Sequence, residues 1–171
     1  IFISGPKNLS QSNKKTSIVI TNYNYALYVR QAIESAVKQK RVADEIIIID
    51  DRSTDNSIKV IEGYIKEVKP TYDKIKLIIR EKNGGPAASR NTGLQNSTGD
   101  YISFLDADDF YTTDKLNKSI ATMEEHPSIG LVYSDYFVIN QQGQGSKEYK
   151  MPYTHQHLMQ FCIVSTNSTY R

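Results

Sequence analysis

Residues 46–49 are four consecutive isoleucines, bounded by Glu45 and Asp50. An uninterrupted β-branched run offers no polar side to water, so it suits a strand covered on both faces, the setting of a parallel sheet. "TSIVI" from Thr16, "KIKLIIR" from Lys74 and "YISFLD" from Tyr101 read as further strands. Amphipathic stretches alternate with them. "YALYVRQAIESAVKQ" places Leu27, Ile33, Ala36 and Val37 roughly on one helical face. "SIKVIEGYIKEV" spaces Ile58, Ile61, Ile65 and Val68 at helical intervals, with Ser53 or Asp55 available to cap it. "GGPAASRNTGLQ" carries Pro86, which fits the first turn of a short helix. "TDKLNKSIATMEEH" predicts another, capped by Thr113 or Asp114, with Leu116, Ile120 and Met123 inward and His126 at its C-terminal end. This alternation predicts an α/β fold with a parallel, doubly wound sheet. After Pro127, "IGLVYSDYFVIN" and "KEYKM" flank the turn-rich "QQGQGS", a candidate hairpin.

A chain of 171 residues can bury one core, so a single domain is expected over residues 16–171. Residues 1–15 are too polar after the third position for a signal peptide and are expected to be a flexible leader or cloning remnant. The C-terminal "CIVSTNSTYR" is apolar and then stops, so the chain is expected to be a fragment of something longer. A formal net charge of +2 is too small to argue for nucleic acid or an anionic membrane. No window approaches the ~20 apolar residues of a membrane span. Cys162 is the only cysteine, which excludes an internal disulfide and a thiolate zinc site and fits a cytoplasmic setting.

In an open α/β sheet, ligands bind at the carboxyl ends of the strands. The first strand ends in Thr21–Asn24, the second in "DDRSTD" with Asp50, Asp51, Ser53 and Asp55, and the fourth in "DADD". Each cluster has a plain alternative. "DDRSTD" also suits a turn and helix cap, "NGG" at Asn83–Gly85 also suits a turn, and a lone "DAD" arises by chance. If strands one, two and four are neighbours, however, the clusters share one cleft. Alternation along an extended segment sends Asp106 and Asp108 to one side and Ala107 to the other. Two carboxylates at a strand end suit a hard cation such as Mn²⁺ or Mg²⁺, with a diphosphate completing its shell. Tyr23 could then stack on a base, and Asp51 could accept hydrogen bonds from a base or ribose. Gly84 and Gly85 let the backbone approach a ligand, and Arg90 could meet a phosphate.

Four blocks, "SIVITNYNYALYVRQAIESAVKQ", "EIIIIDDRSTDNS", "REKNGGPAASRNTGLQNSTGDYISFLDADD" and "TDKL", together resemble the GT-A catalytic domain of family 2 glycosyltransferases over roughly residues 16–140. The resemblance implies a Rossmann-like, mostly parallel sheet flanked by helices. It also implies inverting sugar transfer from a nucleotide-diphosphate sugar, most simply a UDP-sugar, to a hydroxyl. Thr21 and Tyr23 match the motif lining the base, with Asn24 beside them, and Thr21 stands where a proline is common. Asp51 matches the contact to uracil or ribose, and Asn83–Asn91 matches the segment beside the nucleotide, Arg90 included. Asp106 matches the ribose side of the metal motif and Asp108 its metal ligand; Asp109 either orients them or serves the surface. The implied division is a nucleotide-binding part at about 16–110 and the start of an acceptor-side part at about 127–171. The acceptor implied is a saccharide or lipid-linked saccharide of bacterial surface polysaccharide or glycoconjugate synthesis, in the cytoplasm or peripherally at the inner face of the plasma membrane.

No general base is assigned, because its acidic motif lies beyond the equivalent of residue 171; Asp135 is a candidate for the acceptor side. Two rivals remain open. One is a sugar-nucleotide-binding module without turnover. The other is a haloacid-dehalogenase-type phosphatase with Asp106 as nucleophile, although that motif belongs near the start of its domain. His155 and His157 are read as surface or acceptor-side residues and Cys162 as a small buried one.

Overall fold

The computed structural model describes residues 13–140, 142–154, 156 and 167–171. His155, His157, Cys162 and the first twelve residues of the expected leader lie outside the described residues. Strand β1 (Thr16–Asn22), helix α1 (Val29–Val37), β2 (Glu45–Asp50), α2 (Ser57–Val68), β3 (Ile75–Ile79), α3 (Gly85–Asn96) and β4 (Tyr101–Asp106) alternate as predicted. They are followed by α4 (Lys115–Glu125), β5 (Leu131–Val132), β6 (Tyr136–Ile139), β7 (Gly145–Glu148) and β8 (Thr169–Tyr170).

Six strands form one sheet in the order β3-β2-β1-β4-β8-β5, and β6 and β7 form a separate hairpin. The first four pair in parallel, whereas β8 runs antiparallel to both β4 and β5. The isoleucine run explains the centre of the sheet. Ile46 and Ile48 join Ile18 and Ile20 on one face, beneath α1, α2 and α4. Ile47 and Ile49 join Val19 on the other, where α3 packs across β1 and β2. All seven side chains are fully buried, each contributing about 1.5–3 kcal/mol of transfer free energy. A one-residue slip would exchange the faces and pull Asp50 away from the Asn22 and Ser53 donors that satisfy its buried carboxylate, so register is firmly specified.

α3 is apolar enough for neither role expected of a core helix, and it closes on the sheet through small residues instead. Ser89 and Gly93 are its buried positions. A Cβ on Gly93 would stand 2.2 Å from Val19 Cγ1.

Several details differ from the sequence reading. Leu27 is 88% exposed, and the core face of α1 is Val29, Ala32, Ile33 and Ala36. The chain first turns at Tyr25, whose carbonyl accepts the N–H groups of Tyr28 and Val29 at 2.9 Å, so Leu27 falls before the helix. Neither Ser53 nor Asp55 occupies the N-cap of α2, which is Asn56; Asp55, one residue earlier, accepts the Ser57 N–H at 2.8 Å. Asp114 occupies the N-cap of α4 without a cap bond and pairs with Lys118. His126 closes α4, its N–H on the Thr122 carbonyl. The hairpin forms from Tyr136–Ile139 and Gly145–Glu148, so "KEYKM" contributes only its first two residues, while Leu131 and Val132 enter the main sheet.

Candidate active site at the strand tips

The order β2-β1-β4 brings the three polar strand ends together. Thr21 lies directly beside Asp106 in register. Its hydroxyl donates to Asp106 Oδ1 at 2.8 Å, and Arg90 Nη2 donates to both carboxylate oxygens at 2.7 and 2.9 Å. The guanidinium read as a phosphate contact thus lies on Asp106, and its buried Nε has no hydrogen-bond partner among the described residues.

The two acids at the end of β2 have separate work. Asp50 is fully buried and internal: it accepts from Asn22 Nδ2 (2.7 Å), the Ser53 N–H (2.8 Å) and the Ser53 hydroxyl (2.7 Å). Asp51 faces the "NGG" turn and accepts the Gly85 N–H at 2.7 Å, the Gly84 N–H shared at 3.1 Å by both oxygens, and the Arg80 guanidinium. Gly85 has φ of +82°, the left-handed region that aims its amide at Asp51 and that a glycine reaches without strain. Burial pushes the Asp51 carboxyl up, but the Gly84 amide, Arg80 and the Gly85 amide outweigh it and hold it below its ordinary range. Asn24, also left-handed with φ of 59°, accepts the Thr54 N–H at 2.8 Å and pins the segment after β2 to that after β1. Tyr23 and Asn83 stand exposed at the rim.

At the end of β4, Ala107 is buried and its N–H donates to the Thr21 carbonyl at 3.0 Å, while Asp108 and Asp109 are exposed. The negative charge of Asp108 is the main reason that the pKa of the Tyr25 phenol is raised. Asp109 is turned aside: its N–H meets the Asp106 carbonyl at 3.0 Å and its carboxylate accepts from Asn167 Nδ2. Burial, opposed by the Asn167 amide and reinforced by Asp108 and Asp106, raises the Asp109 pKa.

Among the described residues no group of three or more His, Cys, Asp and Glu side chains is arranged to hold a metal. Asp108 is the open carboxylate and Asp106 is charge-balanced by Arg90. So sparse a donor set fits a hard divalent cation whose remaining ligands come from a bound molecule and water. Asp135 is engaged within the hairpin, pairing with Lys147 Nζ at 3.0 Å and accepting the Lys150 N–H at 3.0 Å.

Sequence reasoning passed over Arg80, Tyr25 and Asn167. Arg80 carried a signal, since it stands at the end of the third strand where the same tip rule applies. Tyr25 adjoins the "TNYN" cluster. Asn167 carried none.

The chain as a whole has the GT-A architecture, and it belongs to glycosyl transferase family 2, whose family model matches residues 17–170. It is 39% identical over 131 residues to an uncharacterized glycosyltransferase of Haemophilus influenzae, covering 77% of this chain and 50% of that protein. It is 32% identical over 127 residues to the putative teichuronic acid biosynthesis glycosyltransferase TuaG of Bacillus subtilis, covering 74% of this chain and 48% of that one. Among solved structures it superposes on Staphylococcus aureus TarS 1–349 in complex with UDP-GlcNAc with a TM-score of 0.71 at 23% identity, covering 92% of this chain and 45% of that one. For a mannosyltransferase of Pyrobaculum calidifontis in complex with GDP-Man and Mn²⁺, the TM-score is 0.64 at 22% identity, covering 75% and 36%. The chain thus spans half the length or less of these proteins.

Proposed function

We propose that this glycosyltransferase domain binds a UDP-sugar at the β2-β1-β4 tips and transfers the sugar, with inversion, to a hydroxyl. The acceptor we assign is a saccharide or lipid-linked saccharide of bacterial surface polysaccharide assembly, reached from the cytoplasm or the inner membrane face. The observation carrying the reading is that two differently built acids stand at the tips of β2 and β4, on either side of β1. Asp51 is ringed by donors and Asp106 is clamped by Thr21 and Arg90, with Asp108 left open beside them. Two relatives support it: TuaG is a putative glycosyltransferase of teichuronic acid biosynthesis, and TarS has been solved in complex with UDP-GlcNAc.

In this reading residues 16–110 hold the nucleotide and residues from 127 onward begin the acceptor side. Tyr23 stacks on the base, and Thr21, Asn24, Asn83 and Gly84 line the nucleotide. Asp51 meets an N–H of the base or a ribose hydroxyl. Three donors, one of them the Gly84 N–H straddling both oxygens, occupy its roughly four acceptor positions, so a further donor is accommodated when the Gly84 N–H settles on one oxygen. Arg90 holds the Asp106 carboxylate oriented toward the ribose side. Asp108, with Asp106, would hold Mn²⁺ or Mg²⁺, which supplies charge stabilisation to the departing diphosphate. The general base is assigned to no described residue.

Calorimetric titration with UDP, with and without Mn²⁺, tests the reading. Metal-dependent binding is expected, and Asp108→Ala should remove its metal-dependent part. If no nucleotide in a panel binds in a metal-dependent way, the reading is wrong.

A further inference from the structure

The loop from Asp106 to Asp109 places three carboxylates within four residues, and in the proposed function two of them share one ligand. Like charges at such spacing push apart, so a loop left to itself would sample many carboxylate arrangements. Besides the clamp of Thr21 and Arg90 on the Asp106 carboxylate, it is tied at three points. Ala107 N–H meets the Thr21 carbonyl, Asp109 N–H meets the Asp106 carbonyl, and the third tie comes from far along the chain. Asn167 Nδ2 donates to Asp109 Oδ2 while Asn167 Oδ1 accepts the Asp106 N–H at 3.2 Å. One planar amide thus grips both ends of the loop.

We propose that Asn167 is a positioning residue for the donor site: it draws Asp109 aside, leaving Asp106 and Asp108 in a single arrangement facing the ligand. The inference rests on the proposed function and deepens it by extending the donor site to a residue on the acceptor-side segment. Only a side chain with a donor and an acceptor on the same plane can make both bonds; aspartate lacks the donor and leucine lacks both. The amide is itself firmly mounted. The Ser168 carbonyl accepts the Phe104 N–H at 3.2 Å, and Thr169 Oγ1 lies 3.0 Å from Ser103 Oγ and accepts from Lys115 Nζ at 2.6 Å. The residue that shapes the loop is thus held two positions ahead of β8, the strand that joins the two halves of the sheet.

The test compares Asn167→Asp, Asn167→Ala, Asp109→Asn and the exchanged pair Asp109→Asn/Asn167→Asp. In the exchanged pair the amide introduced at 109 donates to the carboxylate introduced at 167, reversing that bond, while the Asp106 N–H still donates to the other oxygen at 167. Two quantities are read on each: amide hydrogen exchange across residues 107–110 without ligand, and the Kd for UDP with Mn²⁺. Both Asn167 variants should speed exchange in that loop while residues 46–49 stay protected, and should weaken UDP–Mn²⁺ binding about tenfold, the loss of one charge-assisted bond. The exchanged pair should recover most of both. Unchanged loop exchange in the single variants, or an exchanged pair as impaired as Asn167→Asp, overturns the inference. If the parent protein does not bind UDP, the proposed function falls, and the exchange data still decide whether Asn167 sets the loop.

Discussion

Gly93 reverses the sign of a familiar substitution. Replacing a helix-interior glycine by alanine ordinarily stabilises by about 1 kcal/mol. Here the new methyl would sit 2.2 Å from Val19 Cγ1, and Val19 is fully buried in the central strand. Overpacking of that kind costs about 1–3 kcal/mol, so the steric term wins. Gly93→Ala should lower the unfolding free energy measured in urea, and adding Val19→Ala should return part of the loss. The same closeness brings Arg90, three residues earlier on α3, within reach of Asp106. A longer side chain at position 93 should therefore also weaken nucleotide binding.

Among the elements, α4 holds the least expected group. Lys115 opens that helix and buries its amine between Ser103 Oγ (2.9 Å), Thr169 Oγ1 (2.6 Å) and the Tyr111 ring (4.7 Å to the centroid). Burial pushes its pKa down from 10.5 to about 7. Between those values the unfolded chain binds a proton that the folded one does not. Stability should therefore rise with pH from about 7 toward 10.5 and be flat, at its lower level, below about 7. Denaturant midpoints of the parent protein should show that rise, and Lys115→Met should abolish it. This group also marks what the sequence makes legible. "TDKL" locates α4, but the burial of its lysine depends on Thr169, 54 residues on. The four parallel strands were readable because their apolar runs need no partner to identify them, and their order placed the acidic tips together as expected. Leu27 was misread because periodicity was extended through a turn that only backbone hydrogen bonds define. β8 was unreadable, since a two-residue strand has no pattern, and Asn167 inherits that silence.

Over the whole molecule, the sheet is continuous only because β8 sits between β4 and β5. Leu131 and Val132 touch the rest of the sheet through Tyr170 and Thr169 alone. Proline has no N–H and is excluded from strands paired on both sides, so Thr169→Pro should free that edge. Exchange should accelerate at residues 102–103 and 131–132, with the β1–β2 pair unaffected. Contacts of such long sequence separation form late. During translation, β5 emerges from the ribosome well ahead of the strand that will hold it. The nascent domain must keep β4 open along one side for that interval, an exposed rail onto which a neighbouring chain could dock by mistake.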